Sequence, residues 1–297
     1  MLENYKKILG ERILTDVSMQ KYSSFKTGGI CKYFALPKTT EELIQVLEIS
    51  KANNIAFTVI GNGTNLLVSD DGVDGLVICL RDMKQVTVDG CRIIAKCGNT
   101  LNEVGKIALE NNLSGMETLC GIPGSIGGAV AMNAGAYGGE VKDVIESATI
   151  LSDGVLICCD NDALKLAYRQ SRITGTEDIV ISATFQLKED NYETIQNKMS
   201  ELNTKRREKQ PLNFPSAGSI FKRPKGYFAA ELIEKSGLKG VSIGGAKVSD
   251  KHAGFIVNFN NASTNDIIEL IELVTKTVFE KFGVSLELEV KKIGTFS

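Results

Sequence analysis

Residues 115–139 read GMETLCGIPGSIGGAVAMNAGAYGG, a stretch rich in glycine and small apolar residues. Glycine adopts positive φ without steric cost and has no Cβ to hold a ligand away from the main chain. So many glycines would weaken a helix or a strand, but they suit a backbone that closes on a flat or anionic ligand. A flexible linker is the alternative, although linkers favour Ser, Pro and charged residues. The stretch therefore predicts a main-chain site for a dinucleotide, whose pyrophosphate is anionic.

A second loop of glycine and asparagine lies upstream. The apolar, β-prone run Ile55–Ile60 leads directly into GNGTN at 61–65. A strand that runs into such a turn is a common way to cradle a phosphate. It is not the dinucleotide fingerprint, because the third glycine and the following helix are missing. On its own this loop is weak evidence for a nucleotide site.

Length and composition indicate a globular protein, and the length suits two domains better than one. The chain has 297 residues, of which 43% are hydrophobic and 24% are charged, so it can bury a full core. The net charge of −2 gives no support for nucleic-acid binding. No apolar run approaches the ~18 residues that a membrane span needs. Because the opening MLENYKKILGER mixes charged with apolar residues, no secretory signal is predicted and we expect a cytoplasmic protein.

Residues that commonly bind metals are few or badly spaced. The seven cysteines are an odd number without a CxxC motif, and their spacing matches neither a zinc site nor a disulfide framework. His252 is the single histidine of the chain. We therefore predict no metal site, and we expect any chemistry to depend on other side chains or on a bound cofactor.

The order of secondary-structure patterns predicts an α+β protein. Capping-box patterns at Thr39–Glu42 and Thr100–Glu103 precede helical runs, and short strand patterns follow. The composition becomes polar and helix-prone over 189–211, where Pro211 ends the helical pattern, so we predict a domain boundary there. Apolar and polar residues alternate over Val284–Ile293, which predicts a half-buried strand.

Eight motifs, in their order and spacing, resemble one family along nearly the whole chain. They are KTGG (26–29), GNGTNLLVSD (61–70), GIPGSIGGAVAMNAGAYGG (121–139), YRQS (168–171), RREKQP (206–211), PSAGSIFKRP (215–224), GGAKVSDKHAGFIVN (244–258) and LELEVKKIG (286–294). Together they resemble the UDP-N-acetylenolpyruvoylglucosamine reductases, flavoenzymes of bacterial cell-wall synthesis. The resemblance implies a two-part FAD-binding fold of the vanillyl-alcohol oxidase type in residues 1–200, with subdomains of roughly 1–82 and 83–200. A smaller α+β substrate-binding domain would occupy 201–297, with its last strand returning toward the active site.

The resemblance also implies a cofactor and a reaction. In this family NADPH reduces FAD, which then passes a hydride to C3 of the enolpyruvyl group of UDP-N-acetylglucosamine enolpyruvate and gives UDP-N-acetylmuramate. No nucleic acid, membrane, metal or obligate protein partner is implied. The residues expected to bind FAD are Thr27, Gly28, Gly61, Asn62, Gly63, Thr64, Asn65, Gly121, Ile122, Pro123, Gly124, Gly127, Gly128 and Gly135.

Three residues match catalytic positions of the family. Arg169, in YRQS, would hold the substrate carboxylate and stabilise the enolate. Ser219, in AGSIFK, would protonate C2, and Glu289, in LEVKKIG, would assist the enolate stabilisation. Hydride addition to an unsaturated carboxylate needs donors where charge develops and a proton source at the neighbouring carbon. Taken singly, each residue has a plain alternative, as a strand-end surface charge, a turn serine or a solvated strand glutamate.

Three cations are expected to contact the substrate. Lys209 matches a lysine that contacts the UDP-sugar in relatives. Arg223 stands where other members have asparagine, and Lys235 where they have glutamine, but both suit an anionic ligand. The chain after YRQS is too short for the loop that carries a substrate-capping tyrosine in one branch of the family. We therefore expect the branch without this loop and assign no catalytic tyrosine.

Two other functions are compatible with these patterns. Another flavin oxidoreductase of the same FAD-binding superfamily would bind FAD but would act on a different sugar or hydroxy acid. A degenerate nucleotide-binding protein would use its glycines structurally and would be colourless even after FAD is added.

Overall fold

A computed structural model describes residues 2–296. The helices are α1 (Leu2–Leu9), α2 (Thr40–Ala52), α3 (Leu101–Glu110), α4 (Ile126–Ala131), α5 (Tyr192–Lys209), α6 (Ala229–Lys235) and α7 (Thr264–Phe282). The strands are β1 (Ile13–Ser18), β2 (Ile30–Ala35), β3 (Phe57–Ile60), β4 (Leu66–Val68), β5 (Val73–Cys79), β6 (Val86–Asp89), β7 (Arg92–Lys96), β8 (Leu113–Ser114), β9 (Gly135–Ala136), β10 (Gly139–Glu140), β11 (Ile145–Ser152), β12 (Val155–Asp160), β13 (Ile179–Gln186), β14 (Lys188–Glu189), β15 (Ser242–Ile243), β16 (Ala246–Val248), β17 (Ile256–Asn258) and β18 (Lys291–Ile293).

The strands form several sheets of different size. A five-stranded antiparallel sheet has the order β12-β11-β13-β7-β6. A four-stranded sheet has the order β1-β2-β5-β3, and a three-stranded sheet has the order β15-β16-β17. The remaining pairs are β9–β10, β8–β14 and the parallel pair β4–β18. Helices and mainly antiparallel strands in one chain confirm the predicted α+β class.

Contacts between Cα atoms divide the chain into two compact units. Unit 1 comprises the chain up to Leu14, Ala35–Asn62 and Val77–Arg206, and unit 2 comprises Thr15–Phe34, Gly63–Leu76 and the chain from Arg207 onward. This division differs from the contiguous domains predicted at 1–200 and 201–297, because residues 15–34 and 63–76 cluster with the C-terminal part. The assignment of FAD and substrate binding to particular domains stays a prediction.

The core of unit 1 lies between its five-stranded sheet and the helices that cover it. Leu101, Val104 and Ala108 recur at helical spacing on α3 and are buried. They belong to one apolar cluster with Ile93 and Ala95 of β7. Burying one Leu or Val side chain contributes roughly 1.5–3 kcal/mol, so this apolar face holds α3 on the sheet and fixes the chain that enters the glycine-rich loop.

The two predicted capping boxes of unit 1 differ in the structure. Thr100 and Glu103 form the complete box at the start of α3. At α2, Thr39 accepts from the Glu42 amide, but the Glu42 carboxylate pairs with both terminal nitrogens of Arg12 at 2.6 Å. A guanidinium fork binds a carboxylate more strongly than a main-chain amide does. The Arg12 hydrogen bonds lower the pKa of Glu42 to about 2.

The core of unit 2 forms around α7. Its buried face consists of Ile267, Leu270, Ile271, Val274 and Val278. Ser263 caps this helix in a capping box with Asp266. The Asp70 carboxylate also accepts from the amides of Thr264 and Asn265, at 2.9 and 3.0 Å. Part of the GNGTNLLVSD motif therefore has a structural role, because Asp70 satisfies helix amides that would otherwise need another acceptor.

The C-terminal strand is shorter than the alternating pattern predicted. Within Val284–Ile293, only β18 pairs continuously, and it does so with β4. The alternation itself is real, because Leu286 and Val290 are buried whereas Glu287 is exposed. Upstream of β18 the ladder is reduced to an isolated bridge at Leu288, so side-chain periodicity extends further than main-chain pairing.

Candidate active site

In unit 1, the turn after β3 lies against the glycine-rich loop. A methyl group on Gly61 would overlap the Ser125 hydroxyl. The Asn62 side-chain amide donates to the Pro123 carbonyl at 3.3 Å. Residues 61–62 and 123–125, all from the two loops predicted to bind FAD, are therefore in contact, and a side chain at position 61 would force the loops apart.

Gly127 and Gly128 contribute space rather than main-chain donors. The Gly127 amide donates to the Cys97 carbonyl at 3.0 Å, and the Gly128 amide donates to the Ser125 hydroxyl at 3.4 Å. A Cβ on Gly127 would also come within 3.0 Å of the Cys97 Cβ. Any contribution of these two glycines to FAD binding therefore rests on the room they leave, because their amides already have acceptors.

A cavity of about 290 Å³ lies beside these glycines. Its wall includes Gly61, Ser125, Gly127 and Gly128, together with Thr176–Val180 from the start of β13 and the turn before it. Pockets for small molecules typically measure about 300–1,000 Å³, so this cavity suits one part of a dinucleotide rather than the whole. No sequence pattern had drawn attention to Thr176–Val180, which shares no motif with the glycine loops.

Arg169 lies in a two-residue turn. Ala167 and Gln170 exchange both main-chain hydrogen bonds, at 3.0 and 3.1 Å, and Tyr168 and Arg169 form the turn between them. The φ of Arg169 is +55°, a left-handed conformation that costs a non-glycine residue roughly 1–2 kcal/mol. Its guanidinium donates to the Gly135 carbonyl at 3.2 Å. Such a conformation persists only where the surrounding structure holds it, here through the two main-chain bonds of the turn.

Asn133 ties this turn to the glycine-rich segment. Its fully buried side-chain amide donates to the Glu140 carboxylate at 2.9 Å and to the Ala167 carbonyl at 3.1 Å. Its side-chain oxygen accepts from the Lys142 amide at 2.9 Å. Burial alone would raise the pKa of Glu140, but Lys142, Asn133 and the nearby charge of Arg169 outweigh it and lower that pKa. Asn133 was not among the predicted site residues, because nothing in the sequence identifies its partners.

In unit 2, the predicted FAD residue Thr27 has a buried hydroxyl without a partner. Thr27 is 1% exposed, and no hydrogen bond to its Oγ1 occurs in the described chain. Main-chain bonds hold its segment in place, from the Ser24 amide to the Gly63 carbonyl and from the Gly29 amide to the Ser69 carbonyl. An unpaired buried hydroxyl costs about 1–3 kcal/mol, so a polar atom of a ligand fits this position.

Two glycines of unit 2 allow the neighbouring backbones to approach closely. Gly28 has a φ of +113°, and a Cβ there would come within 2.7 Å of the Val68 Cβ. Gly63 has a φ of +67°, and a Cβ there would overlap the Tyr22 carbonyl. Both positions therefore require glycine on conformational and steric grounds. Thr64 follows in a turn and is half-buried.

Asn65 binds the C-terminal segment. Its side-chain amide donates to the Glu289 carbonyl at 3.1 Å, and its main-chain carbonyl accepts from the Lys291 amide at 2.9 Å. These bonds continue the parallel pairing of β4 with β18. Asn65 is predicted to bind FAD, but its side-chain amide donates to the main chain of Glu289 in this structure.

Ser219 lies in an extended segment that is hydrogen-bonded on both sides. It forms an antiparallel bridge with Phe255. On the other side, the Glu289 amide donates to the Ile220 carbonyl at 2.7 Å. Gly218, directly before Ser219, has a φ of +78°. Main-chain pairing thus places Glu289 opposite Ile220, the residue after Ser219, and both Ser219 and Glu289 are half-buried.

The three predicted substrate cations of unit 2 are exposed. The Arg223 guanidinium lies 4.8 Å from the centroid of the Phe228 ring. The Lys235 ammonium pairs with Glu231 at 2.6 Å, one helical turn away. Such an exposed pair contributes little to stability. A substrate contact of Lys209, Arg223 or Lys235 stays a prediction.

Three other titratable side chains, those of His252, Cys79 and Cys97, are partly or fully buried. Burial lowers the pKa of His252, and its Nδ1 accepts from the Gly254 amide at 3.1 Å. Burial raises the pKa of the Cys79 thiol to about 11 and that of Cys97 to about 12. Residues 2–296 contain no group of three or more side chains placed to hold a metal ion. The same residues form no helix that is long and apolar enough to cross a membrane.

Comparison with known proteins identifies the family. Residues 31–160 match the model of an FAD binding domain, and residues 210–293 match that of the UDP-N-acetylenolpyruvoylglucosamine reductase C-terminal domain. The UDP-N-acetylenolpyruvoylglucosamine reductase of Caldanaerobacter subterraneus subsp. tengcongensis is 47% identical over 296 residues, 99% of this chain and 98% of that protein. The chain belongs to this reductase family. The membership expected from the eight motifs is thereby confirmed.

Solved structures agree with this assignment. The UDP-N-acetylenolpyruvylglucosamine reductase of Thermus caldophilus is 34% identical with a TM-score of 0.81, covering 93% of this chain and 97% of that one. A berberine bridge enzyme variant is 16% identical with a TM-score of 0.52, over 64% of this chain and 43% of that one, a likeness of fold alone. Together with the FAD domain match, these structures confirm the predicted FAD-binding fold of the vanillyl-alcohol oxidase type.

FAD is the cofactor of this reductase. Each unit, considered by itself, has predicted FAD residues whose surroundings suit a ligand. In unit 1, the loops at 61–62 and 121–128 meet beside a cavity of suitable size for part of a dinucleotide. In unit 2, the buried Thr27 hydroxyl lacks a protein partner, as expected for a group that bonds to a ligand.

Proposed function

We propose that this protein reduces UDP-N-acetylglucosamine enolpyruvate to UDP-N-acetylmuramate with NADPH as the reductant. The observation that carries the proposal is the 47% identity, over nearly the full length of both chains, to a UDP-N-acetylenolpyruvoylglucosamine reductase. The match of residues 31–160 to an FAD binding domain supplies the redox cofactor that this reaction requires. The cytoplasm, where we expect the reaction, stays a prediction from the sequence.

The reaction adds two hydrogen atoms across a carbon–carbon double bond. Bound FAD, once reduced by NADPH, would supply the hydride for the new bond at C3 of the enolpyruvyl group. The electron pair of the double bond then moves onto the carboxylate, and C2 takes up a proton. The protein must therefore hold the carboxylate, stabilise the added negative charge and deliver the proton at C2.

Arg169 is proposed to bind the carboxylate and stabilise the enolate. A guanidinium is always protonated and presents a planar set of donors that matches a carboxylate. Two observations support this role: the left-handed backbone of Arg169 and the buried Asn133, which bonds to Ala167, the residue before the turn. A surface arginine without a function would gain nothing from the strained conformation.

Ser219 is proposed to give its hydroxyl proton to C2, and Glu289 to assist the enolate. Serine is a weak acid in water, so the transfer must coincide with collapse of the enolate, which makes C2 strongly basic. The pairing of residues 220–222 with 287–289 supports both roles, because it fixes the main chain directly after Ser219 and at Glu289. As a protonated or hydrogen-bonded carboxyl, Glu289 would add a donor near the developing charge.

A turnover assay with the FAD-loaded protein tests this function. NADPH and UDP-N-acetylglucosamine enolpyruvate are mixed with the enzyme, and loss of NADPH absorbance is followed while the product is identified by mass. We expect NADPH oxidation that depends on the sugar nucleotide and a product heavier by the mass of two hydrogen atoms. A yellow protein that oxidises NADPH only with another acceptor would contradict the substrate, and a colourless protein that takes up no FAD would contradict the flavoenzyme.

A further inference from the structure

Arg206 is a buried cation near the C-terminal end of α5. The residue is only 7% exposed, and its Nη1 makes no hydrogen bond in the described chain. The Tyr137 ring lies on one side of the guanidinium, 5.6 Å from ring centroid to Cζ. Gly121 lies on another side, where an added methyl group would overlap Nη1. Arg206 therefore reaches the first residue of the GIPGSIGG loop and leaves a donor unused there.

The charge of Arg206 lacks a protein counter-charge. Within residues 2–296, no carboxylate forms an ion pair with its guanidinium. Glu117, a buried acid of the same unit, accepts instead from the Ser114 hydroxyl at 2.6 Å and the Gly115 amide at 2.9 Å. Taking an arginine out of water is expensive, and buried charges in folded proteins are normally paired. The buried guanidinium with its unpartnered Nη1 therefore suits a ligand that carries negative charge.

Loop chemistry indicates which anion fits. Gly121 opens the loop whose later residues, Pro123 and Ser125, contact the turn at 61–62, and residues 31–160 match an FAD binding domain. An FAD molecule carries negative charge on its diphosphate, and the N1–C2=O edge of its ring system becomes negative on reduction. Either group accepts hydrogen bonds from a guanidinium.

We propose that Arg206 is a cofactor-binding residue whose Nη1 donates to an anionic group of bound FAD, either the diphosphate or the N1–C2=O edge. The assignment rests on FAD being the cofactor of this protein. In the ligand-free protein, the buried charge of Arg206 would lower the free energy of unfolding. Bound FAD would neutralise that charge. Replacing Arg206 by an apolar residue should therefore affect stability and binding in opposite directions.

The test compares ligand-free and FAD-loaded forms of Arg206→Met and Arg206→Lys with the wild type. Methionine keeps much of the volume without the charge. Lys198→Met is the matched control, because Lys198 is an exposed cation of the same helix. Thermal melting of the ligand-free protein and quenching of flavin fluorescence on binding are the readouts, so neither depends on turnover.

We expect Arg206→Met to melt at or above the wild-type temperature without FAD and to bind FAD at least roughly tenfold more weakly, the usual loss for a charge-assisted hydrogen bond. Arg206→Lys should retain part of the affinity, and Lys198→Met should match the wild type. Riboflavin, which lacks the diphosphate, separates the two anionic groups. Unchanged riboflavin affinity in Arg206→Met assigns the diphosphate, whereas weakened riboflavin binding with a lower reduction potential assigns the ring edge.

Three results would overturn the assignment of Arg206. One is FAD affinity in Arg206→Met equal to that in Lys198→Met. Another is a lower melting temperature of ligand-free Arg206→Met, which would mean a structural role. The third is an increased KM for the sugar nucleotide with unchanged FAD affinity. It would mean that Arg206 binds an anionic group of the substrate instead of FAD. Failure of the wild-type protein to bind FAD would instead contradict the proposed function.

Discussion

The turn that carries Arg169 and the segment that carries Ser219 are built in opposite ways. Arg169 sits at a φ of +55° in a two-residue turn, and a buried side chain, Asn133, bonds to the residue before that turn. Ser219 lies in an extended segment fixed on both sides by main-chain pairing, with Phe255 and through Ile220 with Glu289. The Arg169 turn depends on a side chain elsewhere in the sequence, whereas the Ser219 segment depends mainly on main-chain pairing.

This difference has a physical consequence for mutation. A main-chain ladder survives the loss of a side chain, because the amides and carbonyls remain. A side-chain anchor is lost with a single substitution and leaves its buried partners unsatisfied. We therefore expect substitution of Ser219 itself to act only through its hydroxyl, and substitutions around Arg169 to act at a distance.

The largest effect is expected for Ser219→Ala. The variant should bind FAD and be reduced by NADPH like the wild type, but substrate should reoxidise it more slowly by roughly 10²–10⁴-fold, the usual loss of a general acid. Its melting temperature should not change, because the pairing of residues 219–222 is main-chain. Stopped-flow absorbance separates the two half-reactions, and Ser216→Ala in the same loop is the control. Normal reoxidation of Ser219→Ala would disprove the proton-donor role.

Arg169→Gly is expected to change the reoxidation rate and the free energy of unfolding in different directions. Reoxidation should slow by roughly 10²–10³-fold, since the donor to the developing enolate is lost. Glycine adopts the left-handed conformation freely, so the variant should gain about 1 kcal/mol of unfolding free energy. Chemical denaturation measures the second quantity. A variant that is slow but less stable would mean that Arg169 supports the fold, and one with normal reoxidation would remove it from the chemistry.

Asn133→Ala should act on the same step with a smaller effect. It leaves the Lys142 amide and the Ala167 carbonyl without their Asn133 partners, at a cost of about 1–3 kcal/mol in stability. Reoxidation should slow by roughly tenfold because the turn is less well held, while reduction by NADPH stays unchanged. Asn161→Ala is the matched control, since Asn161 bonds to main-chain carbonyls of the same unit. Equal slowing in both variants would show a general loss of structure.

The smallest catalytic effect is expected for Glu42→Gln. The Glu42 carboxylate binds Arg12 in unit 1, away from the Arg169 turn. The folded pKa of Glu42, about 2, lies below its ordinary value of 4.5. Stabilisation by the Arg12 pair is therefore complete above about pH 4.5 and is lost as the pH falls toward 2. Denaturation near pH 6 should show a loss of about 2–3 kcal/mol in the variant, shrinking toward pH 3, with normal half-reactions. A difference at pH 3 as large as the one at pH 6 would contradict this account.

Sequence patterns predicted local structure well where the cause is local. The Thr100–Glu103 capping box, for example, depends on two residues that are close in sequence. Glu42 departs from its pattern because Arg12, 30 positions away, competes for the carboxylate. A rule based on residues close in sequence cannot predict that a distant residue binds the carboxylate more strongly.

The candidate site was predicted only as far as motifs could identify it. The main-chain pairing around Ser219 and Glu289 is visible only in the folded chain. The same holds for the hydrogen bond from the Asn65 side chain to the Glu289 carbonyl, 224 positions away. Asn133 and Arg206 were not selected because their importance lies in burial and partners rather than in residue type. Segments 15–34 and 63–76 join unit 2 for the same reason: their contacts are remote in sequence.

The central claim is that Asn133 acts on catalysis through Arg169, and a double-mutant cycle on the reoxidation rate tests it most directly. Wild type, Asn133→Ala, Arg169→Ala and the double variant are reduced with NADPH and mixed with UDP-N-acetylglucosamine enolpyruvate. We predict that Asn133→Ala slows reoxidation roughly tenfold when Arg169 is present and has no further effect when it is absent. The same slowing in both backgrounds would contradict the claim.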